Sequence, residues 1–147
     1  MLRFLFFIVL SCFISSKEAQ ACSCARVPMP GTAQDAYFEK QAQQADYIFL
    51  ATVTDQRAGS EKSKEFWDFK VEKVWKGNVQ PVFTYESSQE MCSFGIFKKE
   101  ETYLVYATIH QKDDTSNVYD ISSCSYTRLA SKAQDALVRL DAESAEK

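Results

Sequence analysis

Histidine is nearly missing from this chain: His110 is the one copy among 147 residues. Every mechanism that needs two histidines is excluded, and a Ser-His-Asp hydrolase would have to rest on that single imidazole. Glycine (4) and proline (3) are scarce, which excludes collagen-like and low-complexity chains. No glycine-rich loop is available to cradle a phosphate, and no carboxylate pair stands at a spacing that suggests acid–base chemistry. An excess of one charge is also lacking. Lys+Arg 17 against Asp+Glu 20 leaves a formal net charge of −3, so a nucleic-acid partner has no electrostatic footprint to recognise. No apolar run approaches the ~20 residues that cross a bilayer, and there is no internal repeat and no linker. An enzyme is the least expected reading. Neither a cofactor nor an intrinsic metal is expected.

What the chain does have is apolar and aromatic mass, 46% and 14% of its residues. With charged residues at 25%, that composition describes a folded domain rather than a disordered chain, and the length fits one domain. Residues 1–21 read as a secretory signal. Arg3 gives the positive start, Phe4 to Ile14 the apolar stretch, and Ala19-Gln20-Ala21 a small-x-small cleavage site. Processing after Ala21 would send residues 22–147 out of the cell, or to the periplasm of a Gram-negative one, beginning with Cys22. A lipid-modified Cys22 fits less well, because Ala19 stands where such signals carry a larger aliphatic residue and Gln20 is out of pattern.

Four cysteines remain after processing, Cys22, Cys24, Cys92 and Cys124. An even count in an exported chain implies disulfides. A bridge between Cys22 and Cys24 would be strained, which leaves Cys22 and Cys24 to pair with Cys92 and Cys124 in either order. A bridge closing a loop as long as residues 22–92 contributes on the order of 4 kcal/mol in the chain-entropy model. The competing use of Cys22 and Cys24 with His110 as metal ligands lacks the paired C-x2-C spacing of zinc sites.

Pro28 and Pro30 hold residues 25–31 out of regular structure. Thr32, with Asp35 three residues on, reads as the N-cap of a helix over residues 33–44. Tyr47 to Thr54 is a nearly continuous apolar strand, and residues 56–64 read as an exposed polar loop. Trp67, Phe69 and Val71 alternate with Asp68, Lys70 and Glu72, the period-2 pattern of a half-buried strand. The next apolar residue is Val74 rather than residue 73, a phase slip that predicts a bulge before Gly77-Asn78 ends the strand. Val82–Tyr85, Tyr103–Ile109 and Val118–Ile121 complete five strands. Tyr103–Ile109 is expected to be central, residues 112–117 a turn, and His110 an exposed loop residue. Ser131 with Gln134 reads as a capping box ahead of a helix carrying Ala133, Ala136, Leu137 and Leu140 on one face, with residues 143–147 frayed. The expected fold is mainly β: a small five-stranded, OB-fold-like barrel with flanking helices.

Taken together, several motifs carry a family resemblance. Cys22-Ser23-Cys24 follows directly on the cleavage site. Ala45-Asp46-Tyr47-Ile48-Phe49 follows a short helix, and Val74-Trp75-Lys76-Gly77 closes the second strand. Phe83-Thr84-Tyr85 precedes Cys92, Tyr103-Leu104-Val105-Tyr106-Ala107 follows it, and Cys124 precedes the last helix. Over residues 22–142 the chain resembles the inhibitory netrin-like domain of the tissue inhibitors of metalloproteinases, in a short single-domain form of bacterial type. The Cys-x-Cys start is the most specific element. The third bridge of animal members has no counterpart near Gln44, and Ser93 stands where the family tends to have glycine.

The resemblance implies the pairing Cys22–Cys92 and Cys24–Cys124. It also implies a protein partner, a zinc metalloproteinase, met by the amino terminus. The α-amine and carbonyl of Cys22 would chelate the partner's zinc, Ser23 would enter the primed-side specificity pocket, and Cys24 and Ala25 would continue along the cleft. Glu90 and Met91, held beside Cys22 by its bridge, would contact the other side. The alternative expectation is a netrin-like protein-binding module without inhibitory activity, since function does not follow from fold.

Overall fold

A computed structural model describes residues 32–60, 64–88, 97–113 and 116–145. Helix α1 (Thr32–Gln44) leads into strands β1 (Tyr47–Ala58), β2 (Lys64–Lys76) and β3 (Val82–Ser88). Strands β4 (Thr102–Asp113), β5 (Ser116–Asp120) and the two-residue β6 (Arg128–Leu129) follow, then a 3-10 turn at Ala130–Lys132 and helix α2 (Gln134–Ala145). All pairings are antiparallel, in the order β3-β2-β1-β4-β5, with β6 added to the start of β4. The end strands β3 and β5 approach each other and nearly close the sheet into a five-stranded barrel. The mainly β, OB-fold-like barrel with two flanking helices is therefore the architecture of the chain.

Alternation along the strands explains where the two apolar clusters sit. Tyr103, Val105 and Ala107 of β4 point into the barrel, with Phe49, Ala51 and Val53 of β1 and Trp67 and Phe69 of β2. Leu104 and Tyr106 point the other way, onto Phe38 of α1, Tyr126, and Ala133, Ala136 and Leu140 at and within α2. A strand buried on both faces must be apolar at every position, and that is why residues 103–107 show no alternation. The barrel interior is packed with rings. Phe69 and Phe83 stack with centroids 5.0 Å apart, and Phe49 meets Phe83 edge-on at 5.3 Å. The seam between β3 and β5 is bridged by Phe83 against Tyr119 at 5.2 Å and by the Tyr85 hydroxyl, which donates to the Ile121 carbonyl at 3.3 Å.

The phase slip in β2 is a real irregularity. Ile48 pairs with Lys76 but Phe49 with Val74, and Leu50 pairs with Lys73 but Ala51 with Val71. The two extra residues let β2 coil around the barrel and turn Trp75 outward, where it packs half-buried on the helix-facing cluster. Trp75 is thus core of the outer layer, while Trp67 is core of the barrel.

Several sequence expectations need correction. The polar stretch 56–64 is a shorter connection than expected, because β1 runs through Ala58 and β2 begins at Lys64. Paired backbone carries the hairpin beyond the apolar residues. For the same reason His110 lies in strand β4, its backbone paired with Val118, rather than in a loop. Of the turn expected over residues 112–117, Lys112 and Asp113 belong to β4, and Ser116 and Asn117 to β5. The Ser131–Gln134 box does not form: Ser131 sits in the 3-10 turn, and the Gln134 side chain donates to the Ala130 carbonyl at 2.9 Å. Helix α2 continues through Ala145, so residues 143–145 are helical. No helix among the described residues is long and apolar enough to cross a membrane.

Two positions give stability predictions. Gly77 has φ +82°, and a Cβ there would stand 2.2 Å from Tyr47 Cδ1. Both strain and overlap oppose any side chain, so Gly77→Ala is expected to destabilise the protein by about 2 kcal/mol or more, read by urea unfolding. The Tyr106 hydroxyl is buried without a hydrogen-bond partner among the described residues, and burial, first, then the nearby Tyr126 and Glu143, pushes its pKa up. An unsatisfied buried donor costs ~1–3 kcal/mol. Tyr106→Phe is therefore expected to raise stability by roughly 1 kcal/mol in the same measurement, and a loss of stability would show that the hydroxyl has a partner.

Candidate functional site

Cys22, Ser23, Cys24, Ala25, Glu90, Met91 and Cys92 all lie outside the described residues. Cys124 is described, as are the chain segments on either side of residues 89–96. The geometry bearing on the expected site is that of these anchors.

Cys124 occupies a turn just after β5. Its N–H donates to Ser122 Oγ at 3.1 Å, and its carbonyl accepts from the Tyr37 hydroxyl of α1 at 3.0 Å. The turn is tied down again further along. Ser125 Oγ donates to Thr127 Oγ1 at 2.8 Å, and buried Thr127 Oγ1 accepts from Tyr106 N–H at 2.9 Å and donates to the Tyr106 carbonyl at 3.2 Å. Cys124 is thereby fixed to α1 on one side and, through Thr127, to the doubly buried strand on the other. Beside it lies a small cleft of about 190 Å³ between the end of α1 and the β4–β5 pair, lined by Gln41, Gln44, Ala45, Tyr106, Asp120 and Ser122.

On either side of the residues that carry Glu90, Met91 and Cys92, strand β3 ends at Ser88 and the described chain resumes at Phe97. Both ends are anchored. Ser88 pairs with Lys64. Phe97 is buried in the barrel mouth, with ring centroids 4.9 Å from Tyr103, 5.8 Å from Trp67 and 5.9 Å from Tyr85. Phe97 was not singled out by sequence reasoning, because the lysines that follow it, Lys98 and Lys99, give it no apolar periodicity. The Tyr103 hydroxyl caps this turn: it accepts from Lys98 N–H at 3.0 Å and donates to Glu101 Oε2 at 2.8 Å. Burial, and then the Glu101 carboxylate, push its pKa up to about 12. Tyr85 joins the two anchors, since its ring touches Phe97 and its hydroxyl holds Ile121, three residues before Cys124.

A larger groove of about 600 Å³ opens on the opposite layer, between α1, α2 and the bulged end of β2. Trp75 and Lys76 form one wall. The Trp75 indole N–H and Lys73 Nζ both donate to Asp141 Oδ1 at 2.6 Å. These bonds, the lysine first, hold the Asp141 carboxyl below its ordinary range. Lys76 Nζ donates to the carbonyls of Ala42 and Gln43 at 2.9 and 3.3 Å, capping the end of α1, which has no basic residue of its own in its last turn. The signal that could have located this groove is the β2 phase slip, which takes Trp75 off the barrel's inner face. Among the described residues no group of three or more His, Cys, Asp or Glu is arranged to hold a metal ion.

The Tyr37–Cys124 bond gives a direct check of the anchor. Tyr37→Phe is expected to lower stability by about 1 kcal/mol in thermal or urea unfolding. No change would mean that the bond does not hold the Cys124 turn. No family model and no curated protein matches this chain.

Proposed function

We propose that this protein is an exported inhibitor of zinc metalloproteinases that acts through its processed amino terminus. The observation that carries the reading is Cys22-Ser23-Cys24 standing immediately after the Ala19-Gln20-Ala21 cleavage site. Removal of residues 1–21 frees the Cys22 α-amine, which with the carbonyl of the same residue forms a five-membered chelate. A catalytic zinc keeps one position for water, and the chelate displaces it. The amine must be neutral to donate, and with a reference pKa of ~7.7–8.0 it yields its proton to the metal near neutral pH.

Rigidity supplies the rest. The proposed Cys22–Cys92 and Cys24–Cys124 bridges fix the terminus to two segments of the barrel, so little conformational freedom is lost on binding. Two features support this scaffold role. The Cys124 turn is held by α1 and, through Thr127, by β4. The hydrogen bond between Tyr85 and Ile121 brings the β3 side, from which residues 89–96 depart, against the segment that leads to Cys124. In this reading Ser23 enters the primed-side pocket, Ala25 follows along the cleft, and Glu90 and Met91 cover the other flank of the zinc.

The test uses exported protein whose first residue has been verified as Cys22. It is expected to inhibit at least one member of a broad zinc-proteinase panel. Insertion of one alanine before Cys22 is expected to weaken that inhibition by about 100-fold or more, because the terminal amine and carbonyl then belong to a residue that no bridge holds in place, with thermal unfolding unchanged. Equal inhibition by the extended protein would overturn the chelation mechanism. No inhibition by the verified protein across the panel would favour the alternative, a protein-binding module without a proteinase target.

A further inference from the structure

The groove between α1, α2 and β2 carries a chemistry that neither the barrel nor the proposed inhibitory terminus uses. Its volume of about 600 Å³ falls within the ~300–1,000 Å³ range of small-molecule sites. Its floor is apolar, built from buried Phe38, Ile48 and Leu140 with half-buried Trp75. Its rim carries two exposed carboxylates, Glu39 from α1 and Glu143 from α2. Neither makes an ion pair or a side-chain hydrogen bond with another described residue.

The cations nearby are already engaged. Lys76, on the groove wall, gives its ammonium to the Ala42 and Gln43 carbonyls. Lys73 pairs with Asp141 and lies 5.3 Å from the Trp75 ring centroid. Arg139 stacks over Phe38, 5.7 Å from its centroid. An arriving anion would meet two carboxylates that have no partner among the described residues. An arriving cation would meet the same two acids together with aromatic surface, a combination that favours ammonium groups.

We propose that this groove is a binding site for a small organic cation with an apolar body, an alkyl- or arylammonium ion. Its ammonium lies at the Glu39 and Glu143 rim, and its hydrocarbon covers Phe38, Trp75 and Leu140. The proposal is independent of the inhibitory reading, because no residue of the amino terminus takes part.

The probes are n-hexylammonium, n-hexanol and n-hexanoate, which share a chain and differ in charge. Each is titrated into the full processed protein by calorimetry and by tryptophan fluorescence, to which Trp75 reports from the groove wall. Hexylammonium is expected to bind saturably and about tenfold more tightly than hexanol, with hexanoate weakest. The preference should shrink at high salt, since the two carboxylates are exposed. In the double variant Glu39→Gln, Glu143→Gln the ammonium is expected to fall to the alcohol's affinity, with the melting curve unchanged. Should that variant unfold, the salt dependence of the unmodified protein's preference makes the same distinction. Equal affinities for the three probes, no saturable binding of hexylammonium, or a preference that survives in the folded double variant would each overturn the proposal. A chain extended before Cys22 should bind hexylammonium unchanged, so failure of the inhibitory reading would leave this result intact.

Discussion

Strand β4 is buried on both faces, and the arrangement of the other elements depends on that. Tyr103, Val105 and Ala107 fill the barrel while Leu104 and Tyr106 seat the helices. Full burial of one such side chain is worth ~1.5–3 kcal/mol, so five successive residues bind the two layers into one unit. The two helices need this support, because isolated helices as short as α1 and α2, 13 and 12 residues, are marginal in water. The satellite turn that carries Cys124 relies on the same strand, through the bonds between Thr127 and the Tyr106 backbone.

The seam of the barrel is closed by side chains rather than by a continuous backbone ladder. Phe83, Tyr119 and Tyr85 lie across it, and Phe97 plugs the end from which residues 97–101 enter β4. This closure bears directly on the proposed function. A terminus that must present a chelating amine at fixed geometry needs attachment points that do not move. The Cys124 turn is tied to the Tyr37 hydroxyl, Phe97 to the rings of the barrel, and Ser88 to Lys64 across the strand pair. The opposite layer has a different character: at the β2 bulge the packing between helices and barrel is incomplete, and a groove with an aromatic wall and an acidic rim remains.

The barrel was legible because its signal is local. Trp67, Phe69 and Val71 alternate with charged residues, and residues 103–107 are apolar throughout, so strand and double burial can each be read from a few neighbouring positions. The slip at Val74 announced the bulge for the same reason. Expectations at chain ends fared worse. Ser131 and Gln134 match a capping box, but the 3-10 turn places the Gln134 side chain on the Ala130 carbonyl instead. His110 and residues 56–58 carry loop-like composition yet extend strands, since backbone pairing does not require apolar side chains. Of the candidate site, the cysteine pattern and the proposed cleavage signal were readable as spacing. The anchors were not: Tyr37 reaches Cys124 across 87 residues of sequence, and no local pattern encodes such a pair.

By itself the sequence determined the strands, their inward faces and the two helices, all properties of residue type and short-range period. The tertiary structure alone decided which strand ends meet at the seam, that Phe97 fills the barrel mouth, and that Glu39, Glu143 and Trp75 share one groove. Those outcomes join residues from distant parts of the chain, and their energies depend on how whole elements pack rather than on any run of neighbouring residues.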